Sequence, residues 1–228
     1  MPQERYYYKG PLNVGDLITL SSEEERHMRV MRTRPGDEVE IINGQGILAK
    51  AIYQDKLEIQ SIVQQEECKH KVIIAQGIPR SNRLDLIIEK GTELGASEFW
   101  LFPGDLSEKT EIGNSLFARL EAITISASKQ SGRLFIPKVE IKPPLKQWKS
   151  LPHASYFGDT DPNAEPFIKA WKQEESLIFF IGPEKGFSAK EETHLKSMGA
   201  SGVKLHPNIL RTDTASLALL SIIHHSLL

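Results

Sequence analysis

The spacing of apolar residues changes rhythm near residue 70, and that change limits the chain to few architectures. From Arg5 to Val63 short β-like runs alternate with turns. Leu17–Leu20, Glu38–Ile42, Ile47–Tyr53 and Lys56–Val63 read as strands, with Gly44 and Gly46 marking a turn between two of them. One helix interrupts them. Ser21 or Ser22 caps it, Glu23, Glu24 and Glu25 suit its positive end, and Pro35-Gly36 stops it. The polar stretch Gln64–Lys71 reads as a linker.

Beyond the linker, strands alternate with helices. Val72–Ile78, Phe99–Phe102, Ala154–Phe157, Leu177–Ile181 and Val203–Leu205 read as strands. Arg83–Leu94, Leu116–Ser128, Ser188 to about Met198 and Thr214–Leu227 read as helices, with Glu191 completing a capping box on Ser188. Such alternation implies a mostly parallel sheet with helices on both faces. The expectation is a small β-barrel over 1–70 and an α/β domain over 71–228. The Pro- and Lys-rich stretch Lys138–Lys149 reads as a surface connection.

Composition narrows the setting. No apolar run approaches the ~20 residues that span a bilayer, and the opening Met-Pro-Gln-Glu-Arg-Tyr-Tyr-Tyr lacks an apolar signal core. The lone Cys68 excludes an intramolecular disulfide, so a reducing cytoplasm is expected. The formal net charge is -2, so a nucleic-acid partner would have to be met by local patches. The seven histidines have no company at metal-ligand spacing, and no metal is expected.

Ligands of α/β domains bind at the carboxyl ends of the strands. Two loops fall there. Gly182-Pro-Glu-Lys-Gly-Phe-Ser188 follows the buried strand Leu177–Ile181, with a glycine at each end of its turn. Leu205-His-Pro-Asn-Ile-Leu-Arg-Thr-Asp-Thr-Ala215 leads into the last helix. Taken alone, the first is equally a plain strand-to-helix turn, and the second a helix cap on Thr212, Asp213 or Thr214. Neither G-x-G-x-x-G nor a P-loop occurs.

In order along the chain, these segments resemble a known family. Ile181–Ser188 followed by Asn208–Ala215 is similar to the paired C-terminal motifs of SPOUT-class RNA methyltransferases. More narrowly it resembles the bacterial 16S ribosomal RNA (uracil-N3)-methyltransferase family, RsmE. His27-Met-Arg-Val-Met-Arg32 with Pro35-Gly-Asp37, Lys90-Gly-Thr-Glu-Leu-Gly95, and Lys129-Gln-Ser-Gly-Arg133 with Pro137 resemble its upstream motifs. Three places depart from the pattern: Lys185 stands where a second glycine is usual, Asp213 where a glutamate is usual, and Ser128-Lys129 in place of the usual pair before Gln130.

The resemblance implies a PUA-like β-barrel followed by an α/β domain with a C-terminal trefoil knot, a feature composition would never suggest. It implies S-adenosylmethionine held near Gly182, Pro183, Gly186, Leu205, Ile209, Leu210, Thr214 and Ala215. It implies 16S rRNA of the small subunit as partner, and a homodimer built on the apolar last helix. For uracil N3 the imide proton must leave, which assigns Asp213 or Glu184 as base and Arg211 as donor to the developing anion. Arg26, Arg29, Arg32 and Arg34 lie in nine residues without an acid, and with Arg133 are expected to meet phosphate. A solvated helix face is the ordinary meaning of such a run. Tyr6, Tyr7 and Tyr8 are expected to pack rather than stack on bases, and Lys90 and Glu93 to form a surface ion pair. Two alternatives stand beside this reading: the same fold acting on another RNA, such as transfer RNA, and a non-catalytic RNA-binding homologue.

Overall fold

The computed structural model describes residues 4–173 and 176–226, and its backbone divides into two compact units. One comprises Met1–Glu67 with Ile125–Ile136, the other Cys68–Thr124 with Pro137–Leu228. The first unit is therefore not contiguous, and the expected division into 1–70 and 71–228 misses its second segment. That segment is held by backbone bonds no local pattern announces. Gly46 N–H donates to Leu134 O and Ile136 N–H to Gly44 O, and Gln45 bridges Phe135.

Among the described residues the first unit forms one five-stranded sheet. Its strands are β1 (Arg5–Tyr7), β2 (Leu17–Ile18), β3 (Glu38–Ile42), β4 (Ile47–Tyr53) and β5 (Leu57–Gln64), in the order β1-β3-β4-β5-β2. Alternate residues of β3 and β4 face a core containing Tyr6, Val39, Ile41, Ala49 and Ala51. Tyr6 is fully buried, its hydroxyl bonded to Thr33, and burial pushes its phenol above the ordinary range. It packs, as expected. Helix α1 (Ser22–Met31) is capped by Ser21, whose side chain accepts from Glu24 N–H.

The second unit carries a seven-stranded sheet, all of whose described pairings are parallel. Its strands are β6 (Val72–Gly77), β7 (Glu98–Phe102), β8 (Lys138–Ile141), β9 (Ala154–Gly158), β10 (Glu165–Pro166), β11 (Leu177–Ile181) and β12 (Ser201–Lys204), ordered β10-β12-β9-β11-β6-β7-β8. Its helices are α2 (Ser81–Glu93), α4 (Phe167–Ala170), α5 (Ala189–Ser197) and α6 (Thr212–Ser226), and it shares α3 (Asn114–Ser131), which belongs to the first unit from Ile125 onward. Strand β11 shows why the sheet sits inside. Leu177, Phe179 and Ile181 join the core on one face, Ile178 and Phe180 the core on the other, and all five are buried.

Several boundaries differ from the sequence expectation. Lys138–Ile141 is an edge strand, not mere connection, because it pairs with β7. β10 and α4 carry too little periodicity to be read locally. The last helix begins at Thr212 rather than Thr214, and the expected Leu227 end lies outside the described residues. The capping box of α5 forms as expected, with Ser188 and Glu191 exchanging bonds.

Candidate functional site

The strand order places both loops at the carboxyl end of the sheet. β12 is separated from β6 by β9 and β11, yet α6 packs on α2, which follows β6. Leu205–Arg211 must therefore run back across the ends of β9 and β11 to reach Thr212. The structure records that return. Thr212 Oγ1 donates to Gly182 O at 2.7 Å, and the same oxygen accepts from Gln76 Nε2 at 2.8 Å. Gln76 Nε2 also lies 2.9 Å from Gly77 O and 3.3 Å from Gly182 O. Gln76 is fully buried, and its Oε1 has no hydrogen-bond partner among the described residues. A buried acceptor left unmet costs about 1–3 kcal/mol.

The first loop is a tight turn. Gly186 N–H donates to Pro183 O at 2.9 Å, and Gly186 has φ +75, in the left-handed region. A Cβ on Gly182 would lie 2.8 Å from the carbonyl carbon of Gly186. Both glycines are thus required. Lys185 has no positive φ and stands exposed at the turn, so a second glycine is unnecessary there. The α5 end anchors this loop: Glu191 Oε1 accepts Asp105 N–H at 3.0 Å, and Ser188 Oγ donates to Asp105 at 2.7 Å.

The two loops enclose a cleft of about 570 Å³. Among the expected contacts, Gly182, Pro183, Gly186, Leu205, Ile209, Leu210 and Ala215 line it, as do Glu184 and Arg211. Thr214 does not: it is exposed on the first turn of α6, and Thr212 takes its place on the wall. Asp213 is also absent from the lining. Instead its Oδ1 accepts from Arg83 Nη1 at 3.0 Å, and Arg83 Nε lies 3.5 Å from Glu184 Oε1. Glu184 Oε1 further accepts Arg80 N–H at 3.0 Å. At the rim Arg80 grips Glu108 with two nitrogens, at 2.9 and 2.7 Å. That hydrogen bond holds the Glu108 carboxyl below its usual range.

Phe179, Ile181, Val203 and Leu210 give the cleft an apolar wall, while Asp159, Glu184 and Glu192 give it carboxylates. Such a lining suits a ligand with an apolar part and a cationic part. Three polar residues around the site, Gln76, Arg80 and Arg83, were not singled out from the sequence, whereas Thr212 stood in the second loop as a candidate cap. Of the three, Gln76 alone had a signal, as a polar residue closing the apolar run Val72–Ala75 at a strand's carboxyl end.

The remaining candidates lie elsewhere. Arg26, Arg29, Arg32 and Arg34 are all exposed, and no side-chain bond engages them among the described residues. Arg133 differs: it is half-buried, and burial lowers its guanidinium below the ordinary value. Lys90 pairs with Glu89 at 2.8 Å and Glu93 at 2.7 Å on the surface, which push it up to about 12. Among the described residues there is no cluster of three metal-ligating side chains and no helix long and apolar enough to cross a membrane.

Comparison with known proteins identifies the family. The family described as RNA methyltransferase domain matches residues 66–224, and that described as RNA methyltransferase PUA domain matches 20–64. The ribosomal RNA small subunit methyltransferase E of Aquifex aeolicus is 30% identical, covering 92% of this chain and 94% of that protein. Its Bacillus subtilis counterpart is 29% identical over 97% and 96%. The crystal structure of the Neisseria gonorrhoeae enzyme bound to S-adenosyl methionine superposes with a TM-score of 0.87, at 25% identity and 98% coverage of each chain.

Proposed function

The chain belongs to the RNA methyltransferase family, among the ribosomal RNA small subunit methyltransferases E, and from that premise we propose that it methylates uracil N3 in 16S rRNA using S-adenosylmethionine. The observation that carries this reading is the cleft between Gly182–Gly186 and Leu205–Ala215, with its apolar wall and carboxylate side. Gly182, Pro183, Gly186, Leu205, Ile209, Leu210 and Ala215 would hold the cofactor. When bound, S-adenosylmethionine supplies an electrophilic methyl carbon on a sulfonium.

The chain's own residues handle the substrate. Uracil N3 carries an imide proton, and its lone pair becomes nucleophilic as that proton leaves to a carboxylate. Asp213 and Glu184 are the candidate acceptors. Arg211, exposed at the cleft, would donate to the carbonyl oxygens that share the developing negative charge. N3 lies on the pairing edge, so the base must be unpaired or flipped out. Arg26, Arg29, Arg32 and Arg34 would grip phosphate. A homodimer through α6, a trefoil crossing at Leu205–Arg211 and a cytoplasmic location complete the reading.

The test is methyl transfer from labelled cofactor to small subunits and to free 16S rRNA, with the product nucleoside identified by mass spectrometry. N3-methyluridine is expected. Label in transfer RNA alone would assign another target, and failure to bind the cofactor in calorimetry would overturn the enzyme reading. Arg211→Ala is expected to lower kcat by about 100-fold with cofactor affinity unchanged. Turnover at the wild-type level would remove Arg211 from the donor role.

A further inference from the structure

Arg83 touches both loops of the site without touching the cleft between them. It stands in the first turn of α2, on the helix that follows β6. Its Nη1 donates to Asp213 Oδ1 at 3.0 Å, and its Nε lies 3.5 Å from Glu184 Oε1. One planar guanidinium thereby spans a residue of the first loop and a residue of the second. All three side chains are only partly exposed, at 25%, 24% and 19% for Arg83, Glu184 and Asp213. Each carboxylate is held by one oxygen. The other oxygens, Asp213 Oδ2 and Glu184 Oε2, have no hydrogen-bond partner among the described residues.

Beneath this contact, the same two loops are joined a second time from the same strand–helix unit. Gln76, in β6, binds Gly182 O and Thr212 Oγ1. Gln76 therefore ties the backbone of the first loop to the Thr212 hydroxyl of the second, and Arg83 links their carboxylates. The loops are thus joined at Gln76 independently of Arg83.

We propose that Arg83 is a positioning residue for the transfer step, tying Glu184, which lines the cleft, to Asp213, which does not, so that the second oxygen of Glu184 stays free, in a fixed direction, for the imide proton of the substrate base. The proposal rests on the methyltransferase reading above. It assigns the fork geometry of arginine, not its charge alone, as the working feature. A lysine is a point charge and reaches one carboxylate at a time. The step balances: the N3 proton would pass to the free Glu184 oxygen, Arg83 would stay protonated throughout, the N3 electron pair would form the new bond to the methyl carbon, and the pair of the broken carbon–sulfur bond would stay on sulfur, which leaves as a neutral thioether.

The experiment compares Arg83→Gln and Arg83→Lys with wild type, reading kcat on small-subunit RNA and cofactor affinity by calorimetry. Arg83→Gln is expected to lose about 100-fold in kcat, the scale on which a misplaced reacting group acts, while cofactor affinity stays within about three-fold. Arg83→Lys is expected to recover only part of the loss. Combining Arg83→Gln with Asp213→Asn should cost little beyond the larger single effect, since residues acting as a unit are non-additive.

Three results overturn the proposal alone, given an active wild type: Arg83→Gln within three-fold of wild-type kcat, cofactor affinity falling in step with kcat, or full recovery by lysine. If Arg83→Gln fails to fold, the Lys variant and the cycle of Arg83→Lys with Asp213→Asn decide by the same criteria. A wild type that binds cofactor and transfers no methyl to small-subunit RNA overturns the functional reading and this proposal together.

Discussion

At the scale of single residues, Arg32 stands apart. It is the non-glycine residue of positive φ among those described, with φ 60 and ψ 34 at the end of α1. Arg32 N–H donates to Arg29 O and Thr33 N–H to Met28 O. This is the helix ending at which glycine is the usual residue, because a Cβ there is strained. Replacing Arg32 by Gly is therefore expected to raise stability by about 1 kcal/mol. If the exposed guanidinium meets RNA, the same variant binds RNA more weakly. Denaturant melts and RNA-binding isotherms read the two effects separately, and a Gly variant with unchanged RNA affinity would remove Arg32 from the contact surface. Thr212 makes the opposite case. Its hydroxyl is buried between Gln76 and Gly182, so Thr212→Val leaves both partners short and should cost about 1–3 kcal/mol. Thr212→Ser should restore most of the stability.

At the scale of elements, the C-terminal turns of α3 and the helix α1 show how a motif acquires meaning. Lys129, read in the sequence as part of a family segment, donates to Glu24 of α1 at 2.6 Å, with side-chain exposures of 14% and 7%. Removing one partner of a buried pair strands the other charge. Lys129→Met is thus expected to destabilise the first unit by about 3 kcal/mol, and adding Glu24→Gln should recover part of it. A thermal melt with no change in Lys129→Met would show that water screens the pair. The exposed face of α1 makes a different prediction. Removing a side chain that neutralises a phosphate weakens the salt dependence of binding, so Arg26→Ala with Arg29→Ala should reduce the slope of log affinity against log salt by roughly 1.5. An unchanged slope would make the run a solvated surface.

At the scale of the whole molecule, the proposed homodimer makes a prediction about α6. Leu219, Leu220 and Ile223 are buried in the core, while Leu217 on the same helix is half-exposed and outside that core. Leu86 of α2, the helix against which α6 packs, is 39% exposed, and Ile209 of the cleft loop is 81% exposed. Apolar surface of this kind is what a partner subunit covers. Gel filtration at micromolar concentration is expected to give a dimer, and Leu217→Glu to give a monomer. A wild-type monomer would overturn the assembly reading.

Local pattern determined much of this protein. The change of rhythm near residue 70, the buried run Leu177–Ile181, the Ser188–Glu191 capping box and the two C-terminal loops all follow from neighbours within a few positions, where periodicity and capping act. Tertiary structure alone decided what meets across the chain. The first unit recruits Ile125–Ile136, Gln76 meets Thr212 across 136 positions, and Arg83 meets Asp213 across 130. Such pairings leave no local trace, because an arginine near the start of a helix has the same neighbours whether it faces water or two carboxylates. Only the return of the chain from β12 to β11 and β6 brings those carboxylates to it.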